Sequence, residues 1–123
     1  MLERTVETKS PLTPQVLLKA MVDETRFRCL MLLLSHGEMC VCELVQSLKV
    51  AQPKVSRNLT ILRNGDLVSS RRQGQWIHYK LNPNLPPWAR TILEAANEGL
   101  TAESLCHLDR QQASLVTSKS MSC

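Results

Sequence analysis

Aromatic residues are scarce in this chain of 123 residues: two Trp, one Tyr and one Phe. So few rings exclude the stacking platforms on which single-stranded nucleic acids are bound. Long apolar runs are missing too. The longest is Cys29-Leu30-Met31-Leu32-Leu33-Leu34, far short of the ~20 residues of a membrane-spanning helix. Met1 to Glu7 mix charges without an apolar stretch, so no signal peptide is expected and the expected location is cytoplasmic. Five cysteines are an odd number at low density. That disfavours a disulfide framework and leaves free thiols for packing, metal or redox chemistry.

Acidic residues are nearly absent from one stretch. Residues 52–80 hold Lys54, Arg57, Arg63, Arg71, Arg72 and Lys80 against Asp66 alone, a net +5, while the rest of the chain sums to −1. The whole excess of the +4 chain therefore sits in one segment, the electrostatic footprint of nucleic-acid binding. The length suits one domain, and a domain this small gains from oligomerisation.

Along the chain, residues 1–12 read as a loose tail. Thr13 and Asp23 are N-cap residues for two helices, the first carrying Val16, Leu17, Ala20 and Met21, the second Phe27, Leu30, Met31 and Leu34 on one face, with Gly37 as its stop. A short helix follows over Val41 to Leu48, with Leu44, Val45 and Leu48 inward. After the tight connection Lys49-Val50-Ala51 comes a helix from Gln52 to Asn64, with Pro53 tolerated in its first turn. The period then becomes two: strands over Leu67–Arg72 and Gln75–Leu81, a turn at Gln73-Gly74, and Ile77, Tyr79 and Leu81 on one face. A last helix spans Trp88–Glu98, a continuation is expected over Thr101 to about Gln112, and the Ser-rich 114–123 is expected to be disordered. The division is a tail over 1–12, a domain over 13–98 and a C-terminal extension over 99–123, partly helical and then disordered.

Short helix, tight turn, longer helix and two-stranded ribbon make a mainly α fold, a winged helix-turn-helix of about five helices plus a two-stranded β-hairpin wing. In the longer helix Val55, Leu59 and Leu62 bury one stripe. The opposite face carries Gln52, Lys54, Ser56, Arg57, Thr60 and Arg63, amide, hydroxyl and cationic groups that match base edges and phosphates. About 13 residues span ~20 Å, enough to lie in a major groove. Gln52, Lys54, Ser56 and Arg57, near the N-terminus, are candidates for base edges or positioning, and Arg63 for phosphate. Arg71 and Arg72 beside Gly74 make a cationic wing suited to phosphate or minor-groove contact.

Cys40-Val41-Cys42 lies at the start of the short helix. Helix N-termini favour anions, and two thiolates favour thiophilic ions. Residues i and i+2 of a regular helix point roughly 200° apart, so one ion held by both is expected to open the first turn. Cys29 is assigned to the core, and His36 and His78 to structural roles. Cys106-His107-x-Asp109 looks ligand-like, although such pairs are commonly incidental.

Asp23-Glu24-Thr25-Arg26, Glu38-Met39-Cys40-Val41-Cys42-Glu43-Leu44, Gln52-Pro53-Lys54-Val55-Ser56-Arg57-Asn58-Leu59 and Gln73-Gly74-Gln75-Trp76-Ile77-His78-Tyr79-Lys80-Leu81 together resemble the ArsR family of metalloregulatory repressors, above all its arsenic-responsive members. The resemblance covers about residues 14–98. It implies a homodimer paired through the first and last helices, around Val16–Met21 and Trp88–Glu98. It also implies double-stranded operator DNA as partner, and release when trivalent arsenic or antimony, as arsenite or antimonite, binds Cys40 and Cys42. No cofactor is required and no membrane is involved. Two positions depart from the family pattern: Val45 replaces the usual third cysteine, and Asn58 stands where His is common. The third ligand is then water, a small thiol, Cys106 or Cys123, or the effector differs: cadmium, lead or oxidation of Cys40 and Cys42. The last helix lacks the His and Asp ligands of zinc-sensing relatives. A dithiol oxidoreductase is disfavoured because no βαβ pattern surrounds the cysteines, and a protein-binding winged helix because of the basic segment.

Overall fold

The computed structural model describes residues 12–118. Its order is α1 (Pro14–Val22), α2 (Glu24–His36), β1 (Met39–Cys40), α3 (Val41–Leu48), α4 (Gln52–Asn64), β2 (Val68–Gln73), β3 (Trp76–Leu81), α5 (Pro87–Glu98) and α6 (Leu105–Ser118). The caps act as expected. Val16 N donates to Thr13 Oγ1 at 3.2 Å and Arg26 N to Asp23 Oδ2 at 3.0 Å, satisfying N–H groups that a helix start leaves open.

Helix α2 is the axis of the fold, touching α1, α3, α4, α5, α6 and β3. Cys29 to Leu33 are therefore all buried, while Phe27 and Leu34 are only half-buried. The expected single face was too narrow, because a helix surrounded on all sides buries more than one stripe. Leu17, Leu44, Leu59, Leu62, Leu67 and Leu93 close around it.

The sheet has three strands, in the order β1-β3-β2, where the sequence suggested two. In β1, Met39 pairs with Tyr79 and Cys40 with His78. Two residues are too few to show alternation in a sequence, so this strand exists through its partner. Gly74 (φ 63°) shapes the wing turn, which falls at Gly74-Gln75, one residue later than expected. Tyr79 and Leu81 are buried on the predicted face with Ile77 half-buried.

Helix α6 begins later than expected and continues past Gln112 to Ser118, so residues 114–118 are helical rather than disordered. The reason is packing: Cys106, Ala113 and Val116 are buried, and α6 lies on both α2 and α3. Among the described residues no helix is long and apolar enough to cross a membrane.

Candidate functional site

Helix α3, the left-handed Lys49 (φ 57°) and α4 set the helix-turn-helix. Lys49 N donates to Val45 O at 2.9 Å, ending α3, and Pro53 lies in the first turn of α4, where no intrahelical donor is lost. Val55, Leu59 and Leu62 are buried as expected. The opposite face exposes Gln52, Lys54, Arg57, Thr60 and Arg63, with Ser56 half-buried. Thr60 donates its hydroxyl to Ser56 O at 3.1 Å. The polar face thus stands free of the core and offers amide, hydroxyl and cationic groups along one helix.

Asn58 is not on that face. It is 5% exposed, its Oδ1 accepts from Arg26 Nη1 at 3.0 Å and its Nδ2 donates to Lys54 O at 2.9 Å. Arg26 also donates through Nε to Ala20 O at 3.2 Å. One guanidinium therefore ties α1, α2 and α4 together and aims the polar helix. Both residues belonged to the motifs that carried the family resemblance, but their contact spans 32 positions and no local pattern announces it.

On the wing the two arginines part company. Arg71 is held by Glu38, Nε to Oε2 at 2.8 Å and Nη2 to Oε1 at 2.7 Å, and donates through Nη1 to Gln73 Oε1. The hydrogen bond from Arg71 holds the Glu38 carboxyl below its ordinary range. Arg72, on the alternate face, is exposed with no ion pair among the described residues.

The two cysteines stand at the junction of wing and helix-turn-helix. Cys40 ends β1 and is the N-cap of α3 in extended conformation (φ −82°, ψ 162°), while Cys42 lies inside the first turn. The Cys40 N–H donates to Glu43 Oε1 at 2.9 Å, and the Cys40 side chain receives the Glu43 N–H, a reciprocal cap. Because Cys40 is not helical, the 200° argument does not apply. The two Sγ atoms are 3.5 Å apart without any opening of the turn, which corrects the expected strain. Burial pushes the Cys40 thiol up. Cys29 and Cys106 are free thiols, as expected, whereas Cys42 is disulfide-bonded, which corrects that expectation for Cys42.

Cys106 is buried on α6 beside Arg28 and Asp109. Asp109 is committed to Arg28, and among the described residues no group of three or more His, Cys, Asp or Glu could hold a metal ion. Cys123 lies outside the described residues. His36 sits between Ser35 Oγ (3.0 Å) and Ser114 Oγ (3.4 Å) at the α2–α6 contact, a structural position. His78, read as having no ligand partner, lies opposite Cys40 across the sheet and opposite Arg71 on its other side.

The sequence pattern described as "Bacterial regulatory protein, arsR family" matches residues 23–70, from the cap of α2 into β2. The chain is 48% identical over 83 residues to the arsenic resistance transcriptional regulator ArsR2 of Pseudomonas putida, covering 68% of this chain and 72% of that one. It is 46% identical over 85 residues to the arsenical resistance operon repressor of Escherichia coli, covering 69% and 73%. The solved structure of HlyU from Vibrio cholerae matches with a TM-score of 0.62 at 33% identity, over 68% of this chain and 87% of that one. Regulators, not enzymes, make up this group. Fold, motif and relatives agree: the chain belongs to the ArsR family of winged-helix, DNA-binding transcriptional repressors, which typically act as dimers.

Proposed function

We propose that the chain is a cytoplasmic repressor that binds double-stranded operator DNA as a homodimer and leaves it when arsenite or antimonite bridges Cys40 and Cys42. The observation that carries the sensor is the 3.5 Å separation of the two Sγ atoms at the start of α3. Two metal–sulfur bonds of about 2.3 Å meeting near a right angle span about 3.3 Å, so one thiophilic centre fits between them once Cys42 is reduced. The names of the relatives, which concern arsenic resistance, support an arsenical as inducer.

On the DNA side, Gln52, Lys54, Ser56, Arg57 and Thr60 face the major groove, and Arg63 and Arg72 meet phosphates. Arg71 joins them by exchanging the Glu38 carboxylate for a phosphate. Helices α1 and α5 pair the protomers, Leu18 and Val22 of α1 being exposed apolar groups available for that contact. Cys40 couples the two ends. It caps α3, the helix that seats α4, and its backbone is registered with His78 in the wing. A ligand on its sulfur perturbs both at once, at a coupling of about 1–3 kcal/mol.

The test is a titration of arsenite into the reduced protein bound to DNA from just upstream of its own gene. Release at low arsenite, lost in Cys40→Ser/Cys42→Ser, is expected. Arg57→Ala should weaken DNA binding without altering arsenite affinity. Binding that arsenite does not reverse sends the search to cadmium or lead. A second reading, a thiol-redox switch, is favoured by the disulfide at Cys42. It predicts that diamide alone releases the DNA.

A further inference from the structure

Helix α6 packs on α2 and α3 and buries Cys106, Asp109, Ala113 and Val116. These four positions make one inward stripe at helical spacing. One residue before each stands a second stripe, Leu105, Leu108, Gln112 and Leu115, at the a and d spacing through which two helices interlock. It points away from the core: Leu105 is 44% exposed, Leu108 48% and Leu115 53%. Leu105, Leu108 and Gln112 also form one wall of a groove of about 380 Å³, with Ser47, Leu48 and Lys49, at the turn of the helix-turn-helix, on the other side.

Charge decides what fits there. The two charged residues of α6 are both engaged inside the chain, Asp109 with Arg28 and Arg110 with Asn97. The outer stripe is therefore uncharged on a chain of net +4. Nucleic acid is bound through several cations, and here Lys49 alone is exposed beside the groove. A charged peptide finds no row of opposite charges either. A second copy of the same face approaches without repulsion. Its leucines shield one another from water, and the Gln112 amide, both donor and acceptor, is complementary to itself.

We infer that α6 receives α6 of a second copy of this chain, Leu105 and Leu108 of each copy entering the groove of the other about a two-fold axis. The pairing proposed above uses α1 and α5, whereas α6 lies on α2 and α3. The contact thus joins two dimers rather than making one; only this size of the assembly rests on the earlier reading. From Leu105 to Leu115 the stripe runs ~15 Å, which covers far less than the ~800 Å² per partner of a stable complex. The contact therefore forms at high concentration, or where DNA holds two dimers side by side and raises their effective concentration. Through α3 it fixes the separation of neighbouring helix-turn-helices.

The experiment is sedimentation of the full chain from micromolar to near-millimolar concentration, with a phosphine present so that no disulfide joins copies. The wild type is expected to pass from dimer to tetramer. Leu105→Glu/Leu108→Glu, at exposed positions, should keep the wild-type urea midpoint and remain a dimer throughout. Leu105→Lys/Leu108→Lys should do the same, and an equal mixture of the two variants should form tetramers again. Wild type and Glu variant that are both dimers at every concentration overturn the α6 contact. So does a tetramer that persists in the Glu variant, or a mixture that stays dimeric. Wild-type dimers that become monomers in the Glu variant leave the α6 contact standing and overturn the α1–α5 pairing instead.

Discussion

Two arginines in this molecule grip a carboxylate with a two-pronged fork, and their surroundings give the pairs opposite characters. Arg28 donates through Nε and Nη2 to Asp109 at 2.9 and 2.8 Å, and Arg71 through the same atoms to Glu38 at 2.8 and 2.7 Å. The side chains of the first pair are 12% and 4% exposed, those of the second 51% and 30%. The hydrogen bond that Arg28 donates to Asp109 raises the guanidinium above its usual range despite the opposing cost of burial. Arg28 also donates to Leu48 O at 2.8 Å, so it holds α2, the end of α3 and α6 at once. Away from water, losing one partner strands a buried charge. In water, the solvent replaces either partner at little cost. Identical geometry is thus a rivet in one place and a latch in the other.

Removing the rivet is the most severe way to break the comparison. Asp109→Ala should cost about 3–5 kcal/mol of stability, read as a lowered urea midpoint. A loss under about 1 kcal/mol would mean that α6 does not need the pair. Raising pH sharpens the contrast from the same neighbourhood. Burial pushes the adjacent Cys29 thiol from 9.0 up to about 12. Below about pH 9 folded and unfolded chains both hold the proton, and above it the unfolded chain releases its proton first. Stability should fall between about pH 9 and 12 by about 1.4 kcal/mol per unit from this thiol, and Cys29→Ala should remove that part of the slope.

Asn58→Ala tests a pair of intermediate burial. It takes an acceptor from Arg26 and should cost about 1–3 kcal/mol. It should also weaken DNA binding, because α4 loses its tie to α1 and α2. Unchanged DNA affinity at reduced stability would limit Asn58 to the core. The mildest change is at the latch. Glu38→Gln should leave the thermal midpoint within error yet raise operator affinity a few-fold and steepen its salt dependence, since Arg71 is released toward phosphate. An unchanged salt slope would place Arg71 outside the DNA contact.

Helices α1 to α5 and the wing were legible in the sequence because their signals are local: the caps at Thr13 and Asp23, the apolar stripe Val55, Leu59, Leu62, and the alternation through Ile77, Tyr79 and Leu81. The motif Cys40-Val41-Cys42 and the basic segment, which carry the proposed sensor and DNA face, were visible for the same reason. What escaped depends on residues far apart in the chain. Strand β1 exists through His78 and Tyr79. The inward contact of Asn58 is made with Arg26, 32 positions away, and nothing next to Asn58 in the chain announces it. The approach of the two sulfurs follows from Cys40 being the extended cap residue before α3, which begins at Val41 as expected; the i, i+2 helix geometry therefore does not apply to the pair.

The rivet also dictates an order of events during synthesis. Arg28 and Asp109 are 81 positions apart, so the cation enters the chain early and waits for its partner until nearly everything else has been made. Contacts of such separation close late in folding. A nascent chain with α1 to α5 complete still lacks the carboxylate that lets Arg28 be buried against the end of α3. The helix-turn-helix is therefore fully anchored on α2 only after α6 has emerged.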